Sequence, residues 1–240
     1  MKAKIFLCAL AWLHIGIASA QVETPQINPL AIYTDEDGEE QSSNTVTGNA
    51  PLDVHFDVGV TGTDGWTCNY EWHFYREGEE NSPYLTRYDE TVDYTFNEAG
   101  THRIVCYATF INGTDTVAYD ADYWNETGAI TVTISESQLV MPNAFSPNGD
   151  GINDIYKPKE GWKSIIEFHG YIYNRWGQLL YDWTDPDNGW DGTYKGKDVK
   201  QGVYFCLIKA KGADGRKFNI RKDVNLLRGY TENSGANTTE

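Results

Sequence analysis

The sequence predicts an all-β protein built from two Ig-like β-sandwich domains in tandem. Apolar side chains alternate with polar ones over short segments, for example at Leu52, Val54, Phe56 and Val58. This period of two is typical of half-buried strands. Clusters of Gly, Pro, Asn and Asp divide the segments, and no segment shows a helical period. Many short strands divided by turns indicate β-sandwiches.

The same pattern predicts the individual strands. In the first domain we expect strands near residues 31–33 and over residues 52–58, 68–74, 91–96, 101–110 and 129–134. In the second domain we expect strands over residues 165–173, 178–183, 202–210 and 218–227, with a turn at residues 174–177 in which Gly177 takes a positive φ. Residues 115–126 are expected to form an acidic loop.

Residues 1–20 resemble a cleaved export signal. Lys2 and Lys4 precede an apolar run over residues 5–17, and residues 18–20 read Ala-Ser-Ala, the small-residue pattern of a cleavage site. The apolar run is too short for a permanent membrane span. We therefore expect an exported chain that begins at Gln21 and carries no lipid anchor.

Charge divides the chain into two parts. Residues 21–138 contain 22 acidic and three basic residues, whereas residues 139–240 contain 13 acidic and 14 basic residues. This asymmetry predicts an acidic domain over residues 21–138, a second domain over residues 139–231 and a polar tail over residues 232–240. The acidic excess argues against nucleic acid as a partner, because phosphate would be repelled.

Three cysteines follow the predicted signal. Cys68 and Cys106 lie in the first domain on the apolar side of their strands, and Cys206 lies in the second. Because export permits disulfides, we predict a buried Cys68–Cys106 bridge between the third and sixth strands of an Ig-like sandwich. Cys206 is then either a buried thiol or an intermolecular partner.

Residues 141–156 form a turn-rich segment that opens the second domain. Two prolines, two glycines and several Asn and Asp residues exclude a helix or a long strand there. Two interpretations stay open. The side chains of Asn148, Asp150 and Asp154 either form Asx turns or offer oxygen ligands to calcium, although the spacing differs from that of an EF-hand.

The first domain resembles a polycystin-repeat (PKD) domain. The likeness rests on residues 48–52, on Tyr70 to Phe74 and on the run from Tyr94 to Thr101, where aromatic residues precede a turn that ends in Gly-Thr. A domain of this kind is implied to be a β-sandwich that binds proteins or glycans.

The second domain is similar to the gliding-motility-associated C-terminal domain, the type B sorting domain of the type IX secretion system of Bacteroidota. The motif residues are Pro142, Asn143, Phe145, Pro147, Asn148, Gly149, Asp150, Gly151, Asn153, Asp154, Asn174, Arg175, Trp176, Gly177, Trp190, Asp191 and Gly192. The resemblance implies export through the periplasm and transport across the outer membrane to the cell surface or the medium. The implied partners are the type IX translocon and an outer-membrane β-barrel of the PorP/SprF type.

Aromatic residues allow two interpretations. Trp176 and Trp190 are expected to pack as core and turn anchors of the second domain. A larger set of aromatic residues in the first domain has two interpretations: the side chains either pack in the fold or are exposed and bind ligands. The set is Trp66, Tyr75, Tyr84, Tyr88, Tyr119, Tyr123 and Trp124.

The common enzyme motifs are absent, including the zinc His-Glu-x-x-His pattern, the Gly-x-Ser-x-Gly elbow and phosphate loops. The sequence therefore predicts no catalytic residue, no cofactor except the calcium alternative, and a non-catalytic surface protein whose first domain binds a protein or glycan in the manner of an adhesin. The alternative is an accessory or signalling component of the secretion or gliding machinery.

Overall fold

The computed structural model describes residues 23–229, and the predicted export signal and polar tail lie outside the described residues. The strands in chain order are β1 (Leu30–Thr34), β2 (Glu40–Ser43), β3 (Thr45–Gly48), β4 (Leu52–Asp57), β5 (Thr67–Arg76), β6 (Leu85–Arg87), β7 (Thr91–Phe96), β8 (Gly100–Asn112), β9 (Asp115–Tyr119), β10 (Ile130–Ile134), β11 (Ala144–Phe145), β12 (Ile165–Tyr173), β13 (Leu179–Trp183), β14 (Thr193–Tyr194), β15 (Lys197–Asp198), β16 (Gly202–Gly212) and β17 (Lys217–Leu226). One helix, α1 (Ala121–Thr127), follows β9. The predicted all-β fold is confirmed. No helix within residues 23–229 has the length and apolar character of a membrane span.

The strands of the first half form two sheets. One has the order β2-β1-β4-β7, and the other has the order β3-β10-β8-β5-β6 with β9 paired to β8. Aromatic side chains fill the space between the sheets. The Phe56 ring lies 5.3 Å from that of Phe74 and 5.8 Å from that of Trp72. The Phe74 contact is edge-to-face and the Trp72 contact is tilted, and such aromatic contacts add to the apolar burial that holds a sandwich together.

The strands of the second half form one large sheet in the order β11-β17-β16-β12-β13. One face is buried under loops and the short β14–β15 hairpin, so this half has a less regular second layer than the first. Trp190, Tyr156, Ile172, Ile208 and Leu226 are fully buried between these layers. The other face of the sheet is open to solvent.

The segment expected to be an acidic loop folds into β9 and α1. The carboxylate of Asp120 accepts a hydrogen bond from the Asp122 amide, and Gly128 ends the helix with a φ of 82°. The Trp124 indole is buried and donates to the Cys106 carbonyl at 2.8 Å. A helix of seven residues shows too little periodicity to be predicted, and its tertiary contact with β8 holds it in place.

The predicted Cys68–Cys106 disulfide is wrong. Cys68, Cys106 and Cys206 are free thiols. Cys68 lies opposite Phe110 and Cys106 lies opposite Trp72, so the two cysteines are on neighbouring strands of one sheet and four residues out of register. At about 3.4 Å per residue this offset exceeds the Cα separation that a disulfide spans.

A hydrogen-bonded joint links the two halves of the chain. The turn between β16 and β17 lies against the end of the first sandwich, where the Ala99 amide donates to the Ala213 carbonyl at 3.1 Å. Ser164 is fully buried, and its hydroxyl accepts from the Ala50 amide at 3.1 Å. Ser137 and Asp214 complete the joint. Strands before and after residue 138 pair separately, and the exact domain limits stay a prediction.

Candidate functional site

The turn-rich segment is organised by the carboxylate of Asp154. Its Oδ1 accepts the amides of Asn148 at 2.9 Å and Gly149 at 2.7 Å, and its Oδ2 accepts the amide of Gly151 at 2.8 Å. These hydrogen bonds lower the pKa of Asp154, since they stabilise the charged form and outweigh the small opposing effect of burial. The carboxylate thus folds residues 148–154 around itself.

Asx turns supply the rest of the loop. The Asn148 side chain accepts the Asp150 amide at 3.0 Å and donates to Asp150 Oδ2 at 2.8 Å. Asp150 Oδ1 in turn accepts the Ile152 amide at 2.9 Å. The Asx-turn interpretation of this loop therefore matches the hydrogen bonds. Among residues 23–229 no group of three or more His, Cys, Asp and Glu side chains is arranged to hold a metal, and calcium binding stays the second interpretation of the loop.

The loop leads into an aromatic cluster that joins distant motifs. The Phe145 ring lies 5.7 Å from the Tyr156 ring and 5.3 Å from the Trp190 ring. The backbones of Tyr156 and Trp190 exchange two hydrogen bonds, at 2.8 and 3.1 Å. The Trp190 indole donates to the Thr193 carbonyl at 2.8 Å. The expectation that Trp190 packs in the core is met.

Arg228 connects these motifs at the end of the last strand. Its guanidinium donates to the carbonyls of Gly192 at 2.6 Å, Val199 at 3.0 Å and Pro147 at 3.4 Å. Gly192 has a φ of +79°, and a Cβ atom there would lie 3.0 Å from the Pro147 side chain. Arg228 comes directly after the predicted last strand and belongs to no motif. No local pattern therefore indicated that its guanidinium joins three distant carbonyls.

Residues 174–177 form the predicted turn, but Trp176 does not pack. The Asn174 side chain accepts the amides of Trp176 and Gln178, both at 3.0 Å, and Gly177 has the predicted positive φ, at 77°. The Trp176 side chain is 79% exposed, with the Arg175 guanidinium 4.9 Å from its ring. The expected anchoring of Trp176 is wrong, because the turn leaves the ring exposed rather than buried in the core.

An apolar surface lies beside this turn on the open face of the sheet. Val203 and Phe205 alternate with core residues of β16 and remain 56% and 40% exposed. They line a shallow groove of about 590 Å³ together with Tyr173 and Arg175. Trp176, Val203, Phe205 and Tyr173 are called the turn-side patch below. Exposed apolar patches of this kind mark interaction sites.

The aromatic residues of the first domain are mostly structural. Tyr75 and Trp124 are buried, and the Tyr119 hydroxyl donates to the Pro25 carbonyl at 2.8 Å. The Tyr84 hydroxyl is hydrogen-bonded to His102 at 2.9 Å, and the Trp66 indole donates to the Glu23 carbonyl at 3.0 Å. The Tyr123 ring packs edge-on against the Tyr119 ring at 5.0 Å. In contrast, Tyr88 is 70% exposed.

The histidines bond to acidic and phenolic groups. His55 pairs with Asp93 at 2.8 Å. His73 contacts Glu71 at 2.7 Å and the Tyr75 hydroxyl at 2.8 Å. His169 bonds to Asp182 and Tyr171 on the solvent side of the second sheet, whereas Cys206 lies on the buried side. His169 and Cys206 therefore form no nucleophile–base pair.

Comparison with known proteins identifies the second half of the chain. Residues 139–221 match the family model described as CHU_C Type IX secretion signal domain. No curated protein matches the chain. This match covers the aromatic cluster, the Asp154 loop and the residue 174–177 turn.

Solved structures show a more distant likeness. The chain is similar to SGBP-B of the mixed-linkage glucan utilization locus of Bacteroides ovatus, in complex with a mixed-linkage heptasaccharide, at 13% identity and a TM-score of 0.27 over 85% of this chain and 48% of that one. It is similar to dimeric latent PorU from Porphyromonas gingivalis at 13% identity and a TM-score of 0.25, over 85% and 20% of the two chains. It is also similar to a tetra-tandem repeat of the extending region of a large adhesion protein, at 12% identity and a TM-score of 0.25, over 85% and 68%.

The chain thus spans about half the length of the first of these proteins and about a fifth of the second. The family match, without the solved structures, identifies residues 139–221. Residues 139–221 are a type IX secretion signal domain, which implies export of the chain to the cell surface or the extracellular space.

Proposed function

We propose that this chain is a non-catalytic surface protein that the type IX secretion system carries across the outer membrane, and that its acidic first domain binds a protein or a glycan. The observation that carries the proposal is the match of residues 139–221 to a type IX secretion signal domain. The first domain then travels with the signal as cargo. Its limits, residues 21–138, and its likeness to PKD domains belong to the same proposal.

The turn-side patch is the surface that the translocon recognises. Trp176 is the most exposed large apolar side chain of the described residues, and Val203 and Phe205 line the groove beside the same turn. Aromatic anchors of this kind dominate binding energies at protein interfaces. An outer-membrane barrel of the PorP/SprF type is the proposed partner, because such a barrel is implied by the family resemblance.

The non-catalytic assignment is supported by the state of the nucleophiles and bases. Burial raises the pKa of the Cys106 thiol to about 12 and that of Cys206 to about 11, so neither is a reactive thiolate at neutral pH. The four histidines within residues 23–229 bond to carboxylates, tyrosines or a backbone carbonyl rather than to serine or cysteine. An adjacent base and a lowered pKa are two of the routes that activate a nucleophile, and neither buried thiol has them.

The test of the sorting role compares the full chain with a chain truncated after Gln138. We expect the full chain at the cell surface or in the medium and the truncated chain in the periplasm. A reporter placed between the export signal of residues 1–20 and residues 139–240 should reach the surface. A truncated chain that still reaches the surface would overturn the sorting role.

A gene deletion separates the binding module from the alternative of a machinery component. We expect other type IX cargo to reach the surface normally in the deletion strain, with only surface binding lost. Accumulation of other cargo in the periplasm would replace the adhesin-like role by an accessory role in secretion.

A further inference from the structure

Strand β5 extends beyond its neighbour and leaves part of its edge open. It spans Thr67–Arg76, and its register with β8 on one side is continuous from Thr67 to Arg76. On its other side β6 pairs only with Trp72, His73 and Phe74. Among the described residues, no strand pairs with residues 68–71 on that side.

The direction of the peptide groups on this edge follows from one hydrogen bond. The Tyr84 amide donates to the Phe74 carbonyl at 2.9 Å, so the peptide groups of Phe74 point away from β8. Residues two apart on a strand direct their peptide groups to the same side. The amides and carbonyls of Cys68 and Tyr70 therefore point to the open side, with the spacing that an added strand requires.

A pocket of about 280 Å³ begins at residues 68–71 of this edge and extends over the outer face of the sheet to β8. Tyr88, which is 70% exposed, lies on one side, and the pocket is also lined by Asn69, Glu71 and Tyr107. Residues 21–138 carry 22 acidic side chains against three basic ones.

We propose that residues 68–71 bind an extended peptide segment rich in lysine or arginine, which joins the sheet as a strand beside β5. The open amides and carbonyls of Cys68 and Tyr70 supply the main-chain hydrogen bonds of strand addition. The Tyr88 ring covers an alternate side chain of the peptide, and Glu71 and the acidic excess of residues 21–138 attract its cations. The edge of β13 is less suited, because a β-bulge at Ile172 and Tyr173 interrupts the pairing of β12 with β13.

This inference rests on the proposed binding role of the first domain and names the partner class. The probe is a six-residue peptide of alternating lysine and valine with blocked ends, and its counterpart alternates glutamate and valine. Each is added to the ¹⁵N-labelled chain from Gln21 to the C-terminus. Amide hydrogen exchange of β5 is followed by NMR.

Without peptide, we expect the amides of Cys68 and Tyr70 to exchange much faster than those of Asn69 and Glu71, which face β8. The lysine–valine peptide should slow the hydrogen exchange of the Cys68 and Tyr70 amides by about tenfold when its concentration is about nine times its dissociation constant. About a tenth of the protein is then unbound, and exchange proceeds from that fraction. The glutamate–valine peptide should leave them unchanged. Slow exchange of both amides in the free chain would overturn the inference, and so would equal protection by the two peptides or protection by neither.

Two substitutions at one position give a matched control. Cys68→Pro removes the amide that faces the open edge, a place where strands tolerate proline, whereas Cys68→Ser keeps that amide. Both variants should fold, and only Cys68→Ser should retain the protection of Tyr70 by the peptide. Equal protection of Tyr70 in both variants would contradict strand addition.

The outcomes also distinguish this inference from the proposed export. Loss of peptide protection with normal surface delivery removes the peptide partner and leaves the sorting role intact. Failed surface delivery with intact peptide protection removes the sorting role and leaves the peptide partner intact. Tyr88→Ala provides a further readout, because loss of the ring should weaken binding of the lysine–valine peptide without changing delivery. Unchanged binding in this variant would remove the Tyr88 contact.

Discussion

The Ser137 hydroxyl donates to Asp214 Oδ1 at 2.6 Å, and the Ser137 amide donates to Asp214 Oδ2 at 3.1 Å. This pair ties the segment between the two halves to the turn between β16 and β17. Gly212 begins this turn, and a Cβ atom at Gly212 would lie 2.1 Å from the Ser137 hydroxyl. The contact therefore depends on a glycine, and it packs the second half of the chain against the first.

Asp214→Ala should destabilise the chain by about 1–3 kcal/mol, because the donors of Ser137 and Arg216 lose their acceptor. The free energy of unfolding is measured by urea titration. Asp64→Ala is the control, since Asp64 is exposed and should change that energy by less than about 0.5 kcal/mol. Equal effects of the two variants would show that the joint contributes nothing.

Acid should weaken both the joint and the Asp154 loop. Burial alone would raise the pKa of Asp214, but hydrogen bonds from Ser137 and Arg216 lower it below its ordinary value of 3.8, and the pKa of Asp154 is also lowered. A carboxyl with a lowered folded-state pKa stabilises the fold above its unfolded pKa and loses that contribution as pH falls through the folded value. Stability should therefore decline below about pH 4. Asp214→Ala should show a shallower decline in urea titrations between pH 5 and 2, and an identical decline would contradict this linkage.

Calcium should leave the melting temperature unchanged. Both oxygens of Asp154 already accept backbone amides, so a cation at that carboxylate would displace hydrogen bonds that fold the loop. The measurement compares thermal unfolding in calcium chloride with unfolding in EDTA. A rise of several degrees in calcium that Asp150→Ala abolishes would instead establish a calcium site in the loop.

Trp176→Ala and Trp190→Ala should differ in kind. Trp176 is exposed, so its loss should leave thermal unfolding nearly unchanged while reducing the fraction of protein at the cell surface. Trp190 is fully buried, and its truncation should cost about 3–5 kcal/mol. Circular dichroism and cell fractionation measure the two effects. Normal surface delivery of Trp176→Ala would remove the turn-side patch from translocon recognition.

Thiol labelling should find three free cysteines in unfolded, unreduced protein. In the native state Cys68 should react first, because it is partly exposed, whereas Cys106 and Cys206 are buried. Burial raises the pKa of both buried thiols, which slows them further. Labelling is followed by mass spectrometry. Detection of a single free thiol after unfolding would restore the Cys68–Cys106 bridge.

Local chemistry in the sequence determined the strands and turns. The period of two predicted β12 with its bounds at residues 165–173, and Gly177 marked its turn, because both signals act between residues close in the chain. The motifs of residues 142–192 likewise indicated a type IX secretion signal domain, and the family match confirms this. The hydrogen bonds around Asp154 follow from Asn, Asp and Gly within seven residues of one another.

Only the tertiary structure decided which neighbours these elements meet. The sequence put Cys68 and Cys106 on the buried side of two strands, but sheet order made them members of one sheet rather than of two. Trp176 and Trp190 looked equivalent in their motifs, yet the turn leaves one exposed and a layer of loops buries the other. The joint at Asp214 and the open edge of β5 depend on contacts and pairings between residues far apart in sequence, for which no local pattern carries information.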